Sequence, residues 1–297
     1  MMDKALVLGG TRFFGKRVVE KLLEDGIEVT LATRGTGGNP FGTRVHHLKV
    51  DRFDRGSMEK NFQDGEWDVI IDQICFSPDD AFDAVEIFKD RTERYIFTST
   101  LSVYEMNGKA EKVEEDFDPT SYPVEFGRKE QFTYGEGKRL AEAVFAQHAP
   151  FPVVMIRPPI VVGTDDYTKR LQFHMERIKG KVPIGLDAPG AELSFVDAEE
   201  LASFIHWSAT QSFDGPVNTS SPDHMTLDRM LRDMHKVLGT GEVIVKPSQE
   251  TETASPMNFP TSFYQNSNRA TTLGYSFSPM SDWFSGLIQK LDDHSEN

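Results

Sequence analysis

Between residues 5 and 157 short apolar runs alternate with stretches of helical spacing, and that rhythm restricts the fold more than any other feature of the chain. The runs cover residues 5–8, 29–33, 46–50, 69–72, 95–99 and 153–157. Each is too short for a helix, and each ends near polar or glycine residues, as strands buried on both faces do. Strands alternating with helices give a parallel sheet covered on both sides. After the first run Phe14, Val18, Leu22 and Leu23 recur at helical spacing before Gly26. Pro78 opens a second helical pattern with Phe82, Val85 and Phe88, and a third runs from Tyr134 through Leu140, Val144 and Phe145. Beyond Arg157 helical patterns over 171–178 and 227–238 alternate with Pro- and Gly-rich connections, and 247–260 reads as a long surface loop. The polar tail, 292–297, reads as frayed.

The first strand runs into Gly9-Gly10-Thr11-Arg12-Phe13-Phe14-Gly15. Strand, glycine turn and helix form the mononucleotide-binding unit of doubly wound folds. Gly9 allows a sharp turn, Gly15 allows close helix–strand packing, and the helix N-terminus faces a pyrophosphate. The same stretch fits seven positions of a P-loop, Gly10 to Lys16, but the eighth is Arg17, which has no hydroxyl for Mg²⁺. Two phenylalanines inside the loop also suit packing better than a phosphate cradle. A dinucleotide turn is the better fit.

Tyr134-Gly135-Glu136-Gly137-Lys138 sets a phenol four residues before an ammonium, on one helix face. A cation one turn away favours the phenolate, so the pair can exchange a proton. With seven tyrosines in the chain the pair alone means little. Following a dinucleotide turn, it points to hydride chemistry.

Composition narrows the partners. A formal net charge of −15 disfavours nucleic acid as the main ligand. Cys75 is the sole cysteine, so neither an internal disulfide nor a cysteine metal cluster is available, and its place after an apolar run reads as buried packing. His46 and His47 are neighbours on one strand and point to opposite faces, a poor metal pair. No apolar run approaches the length of a membrane span and no secretory signal is seen, so a cytoplasmic protein is expected. Glu114-Glu115-Asp116 reads as a solvated loop, and 35–42 as a loop over the adenosine end of a cofactor or a variable connection.

Further segments complete a pattern. Phe97-Thr98-Ser99-Thr100-Leu101-Ser102-Val103-Tyr104, Arg157-Pro158-Pro159 with Gly163, Phe195-Val196-Asp197-Ala198-Glu199-Glu200-Leu201-Ala202, Val217-Asn218 and Leu273-Gly274-Tyr275 follow the turn and the Tyr–Lys pair in order. With them the chain resembles, over nearly its whole length, the extended short-chain dehydrogenase/reductase superfamily, in its NAD-dependent epimerase/dehydratase group and an atypical subgroup with GGTRF-x-G turns. The resemblance implies a Rossmann-like doubly wound α/β fold with a smaller carboxy-terminal substrate domain. Residues 1–164 would form most of the dinucleotide-binding domain, with a return around 195–220, and 165–297 mainly the substrate part. It implies Thr100, Tyr134 and Lys138 as the catalytic set: Tyr134 the acid/base, Lys138 on the nicotinamide ribose, Thr100 bonded to the reacting oxygen. The implied cofactor-binding set is Gly9, Gly10, Thr11, Arg12, Phe13, Phe14, Gly15, Arg34, Asp51, Lys138 and Pro158, with no metal ligands.

Four departures shape the expectation. Arg12 replaces the usual middle glycine, which calls for ordinary backbone angles and an altered turn. The second strand ends in Thr33-Arg34-Gly35 without the acidic residue that grips a ribose diol, which favours NADP over NAD. Leu101 and Ser102 stand where 4,6-dehydratases of the family carry Asp-Glu, which argues against water elimination. Ile160 and Leu193 stand where an Asn and an Arg usually hold a nucleotide sugar, and Arg170 and Arg269 are alternative anion contacts. The expected function is an NAD(P)-dependent oxidoreductase or epimerase acting on a hydroxyl or ketone of a small molecule, with a sugar derivative as one option. Neither a nucleic-acid nor a membrane partner is expected, and a homodimer is the one assembly entertained. The rival is a non-catalytic NADP sensor or scaffold of the same fold, including RNA-associated relatives.

Overall fold

The computed structural model describes residues 2–295 and divides into two compact units. The first comprises Met1–Glu105, Glu114–Pro158 and Leu201–Asn218. Its core is a seven-stranded sheet of β1 (Lys4–Leu8), β2 (Glu28–Thr33), β3 (His46–Lys49), β4 (Val69–Asp72), β5 (Tyr95–Thr98), β6 (Val153–Arg157) and β7 (Gly215–Asn218). The strands lie in the order β7-β6-β5-β4-β1-β2-β3, every neighbouring pair parallel. The order reverses between β1 and β4, which opens a crevice at the carboxyl ends of the strands.

Four helices of this unit follow from local signals. α1 (Phe13–Glu24) buries Val18, Val19 and Leu22, with Phe13 replacing Phe14 as its inward ring. α2 (Arg55–Phe62) is capped by Asp54, whose carboxylate accepts the Gly56 N–H. α3 (Pro78–Phe88) starts at a proline behind a Ser77 cap and buries Ala81, Ala84, Val85 and Phe88. α4 (Tyr134–His148) is capped by Thr133 and buries Leu140, Val144 and Phe145. Phe62, Phe88, Phe97, Tyr95 and Phe145 form a connected aromatic core on this side of the sheet.

The second unit comprises Met106–Val113, Pro159–Glu200 and Thr219–Asn297. It therefore takes a short early segment that the sequence rhythm did not single out. Two- and three-residue strands pair Ile160–Val162 with Phe195–Asp197, Glu192–Leu193 with Met225–Thr226, and Glu111–Lys112 with Tyr264–Gln265. The helices that follow are α5 (Arg170–Gly180), α6 (Ala198–Ser208), which begins here and continues in the first unit, α7 (Leu227–Leu238), α8 (Asn268–Leu273) and α9 (Met280–Ser295). In α7 Leu227, Met230, Leu231, Met234 and Leu238 make one buried stripe, and Gly239 closes it at φ +65°.

Two expectations need correction here. Residues 247–260 are anchored and not simply a surface loop: Met257 is fully buried, and the Ser255 hydroxyl bonds to His174 Nε2 at 2.8 Å. The tail does not fray at residue 292, because α9 continues to Ser295; residues 296 and 297 lie outside the described residues. No helix among the described residues is long and apolar enough to cross a membrane.

Candidate functional site

The glycine turn leaves β1 with Gly9 at φ +95° and Gly10 at φ +85°, angles that side chains resist. A Cβ on Gly10 would also stand 2.8 Å from Val7 Cγ1. Arg12 is extended at φ −140°, the ordinary angle its side chain requires, and serves as the backbone cap of α1. The departure from glycine is absorbed one residue later, where Phe13 is left-handed at φ +53° and buried, edge-on to Phe14. The first turn of α1 carries no acidic residue, so its N–H groups face no competing carboxylate of that turn.

Opposite the turn, the segment after β4 is held by buried ion pairs. The Asp72 carboxylate accepts from Arg52 at 2.8 and 3.0 Å, from the Tyr95 hydroxyl at 2.7 Å and from the Ile74 N–H at 3.0 Å. Asp80 accepts from the Phe76 N–H at 3.2 Å and from Arg128 at 2.9 Å. Burial, with the Asp72 charge beside it, pushes the Tyr95 phenol well above its ordinary value, so it stays a donor. Cys75 is fully buried, and burial pushes its thiol far above the nucleophilic range. Gln73 lies on the turn itself: a methyl group on Gly15 would meet its Oε1 at 1.9 Å. The space at Gly15 is thus filled by Gln73, a neighbour the sequence reading did not foresee.

α4 approaches this segment closely because two of its residues are glycine. A Cβ on Gly137 would stand 2.5 Å from the Phe76 carbonyl oxygen, and one on Gly135 2.6 Å from that of Ser102. The same contacts set Tyr134 over Phe76, ring centroids 6.4 Å apart, with the tyrosine 55 % exposed. Lys138 is 1 % exposed; its Nζ donates to the Thr98 carbonyl at 2.6 Å and sits 6.0 Å from the Tyr134 ring centre. Rings of Phe76 and Phe97 flank the ammonium at 4.7 and 4.8 Å. Thr100 is buried at the start of the 3-10 turn Leu101–Val103, where its Oγ accepts the Ser102 N–H at 3.2 Å. Tyr134 and Lys138 therefore share one face, with the Thr100 turn packed against the same end of α4.

Beneath them runs a second buried network. Arg157, fully enclosed, donates to both oxygens of Glu142, and Ser99 donates to that carboxylate. Arg157 also donates to the Tyr104 hydroxyl and the Glu114 and Phe117 carbonyls, each at 3.0 Å. Tyr104 donates to Asn218 Oδ1 at 2.6 Å, and Glu114 accepts the Asn218 N–H at 2.8 Å. Glu114 is consequently not part of a solvated loop but a buried tie to β7. This network ties α4, β6, β7 and the residues that follow β5 together through side chains far apart in sequence.

Other expected positions spread along the strand ends. Arg34 is exposed at the end of β2, where Thr33 Oγ accepts the Gly35 N–H at 3.1 Å. Lys49 lies against Gly35, and the Arg12 guanidinium 3.7 Å from a Cβ placed on Gly37, so cations gather at this turn. The rest of the 35–42 loop is pinned by buried Phe41. Asp51 follows β3 and accepts the Phe53 N–H at 3.1 Å, while buried Pro158 follows β6 and accepts the Leu101 N–H at 2.8 Å. They stand on opposite sides of the crevice and do not meet. In the second unit Leu193 is buried core opposite Met225, and Ile160 pairs with Phe195.

The model of the NAD dependent epimerase/dehydratase family matches residues 5–220. A curated relative, the chloroplast stem-loop binding protein of 41 kDa b of Arabidopsis thaliana, is 25 % identical over 80 % of this chain. The chain covers 64 % of that relative's length. Among solved structures, UDP-glucose 4-epimerase of Thermotoga maritima with UDP-glucose superimposes at a TM-score of 0.77 over 99 % of this chain and 100 % of that one, at 18 % identity. UDP-N-acetylglucosamine 4-epimerase of Methanobrevibacter ruminantium, in complex with UDP-N-acetylmuramic acid, reaches 0.77 over 100 % of both at 19 % identity. UDP-glucose 4-epimerase of Thermus thermophilus, in complex with NAD, reaches 0.72 over 99 % of both at 19 % identity. At these identities the likeness is one of fold.

Proposed function

The chain belongs to the NAD dependent epimerase/dehydratase family, and from that premise we propose a nicotinamide-dependent oxidoreductase or epimerase acting on a hydroxyl or ketone of a small molecule. The observation that carries the reading is the exposed Tyr134 phenol on one helix face with buried Lys138, at the carboxyl end of the sheet that bears the glycine turn. The left-handed Gly9 and Gly10 and the uncontested start of α1 fit a dinucleotide. A bound nicotinamide supplies a hydride acceptor and donor. Tyr134 moves the proton on the substrate oxygen, Thr100 orients that oxygen, and Lys138 holds the ribose from a site its own burial keeps fixed. Leu101 and Ser102 after Thr100 offer no carboxylate, so redox or epimerisation is favoured over water elimination.

NADP is the preferred cofactor in this proposal, supported by Arg34, Arg12 and Lys49 about the end of β2. Leu193, committed to packing, supports a substrate other than a uridine-diphosphate sugar held in the usual way. Fluorescence titration with NADPH and NADH tests the reading, and mass spectrometry of the small molecules released from purified protein looks for the substrate. Micromolar NADPH binding is expected; no affinity for either dinucleotide would overturn it.

A second reading, a binding protein without turnover, is favoured by one observation: the curated relative is named as a stem-loop binding protein. The net charge of −15 weighs against RNA here. A gel-shift with a stem-loop RNA separates the two, since RNA binding without dinucleotide affinity would favour this reading.

A further inference from the structure

We infer that the Phe76 ring is a gate over Lys138: on the reading that the chain binds a nicotinamide dinucleotide, the nicotinamide ribose reaches the ammonium only once that ring has turned aside.

Lys138 is 1 % exposed, against 55 % for Tyr134 one turn before it. An ammonium has three N–H donors. Among the described residues one of them is used, on the Thr98 carbonyl at 2.6 Å. A buried cation with donors to spare is costly, and the rings of Phe76 and Phe97, 4.7 and 4.8 Å from Nζ, replace only part of the lost water. Ribose hydroxyls are acceptors that would complete the set. With the group this enclosed, none of them reaches Nζ without displacing a wall.

The walls differ in freedom. Phe97 belongs to β5, is fully buried and packs on Phe145 with ring centroids 5.1 Å apart. The Thr98 carbonyl is backbone of the same strand. Both are fixed. Phe76 is only half-buried, and its ring lies 6.1 Å from that of Phe53 and 6.4 Å from that of Tyr134, both in part open to solvent. Its backbone is held at both ends. The N–H donates to Asp80 at 3.2 Å, and the carbonyl oxygen lies 2.5 Å from a Cβ placed on Gly137. The peptide therefore stays in place, and the ring is left its staggered positions about χ1. Phe76 is the wall that can open.

Calorimetry with NADPH, NADH and ADP tests the gate on the unaltered protein, on Phe76→Ala and on the milder Phe76→Leu. ADP carries the adenosine and diphosphate of NADH and lacks the nicotinamide ribose. Removing the ring should tighten NADPH and NADH about tenfold or more, as when the competent state is populated at about 10 % or less, and leave ADP within about twofold. Phe76→Leu should act in the same direction by less. Adding Lys138→Met to either variant should cancel the gain. Labelling with an amine-reactive ester, read by mass spectrometry, follows the wall itself. Lys138 should label slowly in the unaltered protein and faster in both variants, with NADPH but not ADP restoring protection. Unchanged or weaker dinucleotide binding, an ADP change of the same size, or Lys138 labelling indifferent to Phe76 would overturn the gate. If no form of the protein binds any of the three ligands while Lys138 labelling still rises, Phe76 shields Lys138 but the dinucleotide reading falls, and ribose entry with it.

Discussion

At the scale of single residues the sharpest division is between Tyr134, open to solvent, and Lys138, enclosed one turn below it. Removing the phenol oxygen should leave the packing on Phe76 in place. Tyr134→Phe is therefore expected to keep its melting temperature and most dinucleotide affinity while losing roughly 10²–10⁴-fold in turnover once a substrate is known. A loss below tenfold would make the tyrosine structural. Lys138→Ala should lower both affinity and stability, since it also breaks the bond to Thr98. Arg34→Ala should weaken NADPH by about 1–3 kcal/mol and leave NADH nearly unchanged, as a lost charge-assisted bond does. Equal losses in paired fluorescence titrations would refute the 2′-phosphate assignment.

At the scale of elements, helix α4 is placed by what it lacks. Gly137→Ala would drive a methyl group into the Phe76 carbonyl, which cannot swing aside as a side chain could. The variant should lose about 1–3 kcal/mol in chemical denaturation despite alanine's better helix propensity; a gain in stability would show that the helix can retreat. Runs such as 69–72 and 153–157 became strands buried on both faces, which declare themselves locally, whereas β3 lies exposed at both its ends and β7, residues 215–218, had no run of its own in the sequence rhythm. The Tyr–Lys face was equally legible, being a matter of helical spacing. What stayed hidden depends on partners far along the chain. Glu142, Arg157, Tyr104 and Asn218 meet only after folding, and Glu114 looked solvated because it stands in a run of acids. Gln73 was missed for the same reason: its place over Gly15 comes from strand order and not from spacing. Arg157→Met would strand the Glu142 carboxylate in the interior. A loss of about 3–5 kcal/mol in denaturant unfolding is expected, and a near-neutral result would show that the pair with Arg157 is not what holds Glu142 in the interior.

At the scale of the whole molecule, stability should follow pH through His174. Its Nδ1–H donates to the Arg170 carbonyl, which can only accept, so the neutral ring's Nε2 accepts from Ser255. Burial lowers its pKa to about 4. The unfolded chain binds that proton first, near the ordinary 6.5. The contribution is therefore full above pH 6.5 and falls as pH drops toward 4, by at most about 1.4 kcal/mol per unit. Denaturant titrations of the unaltered protein and His174→Gln should converge across that window; a constant gap would place the effect elsewhere.

The outer strand β7 is made from residues 215–218, long after its neighbour β6, with segments of the second unit intervening. During synthesis the sheet must wait with one edge open, and Tyr104 and Glu114 without their ties to Asn218, until that late strand leaves the ribosome. The first unit is thus finished by the chain's return, and a nascent fragment ending near residue 164 would expose a bare strand edge to chaperones or to other nascent chains.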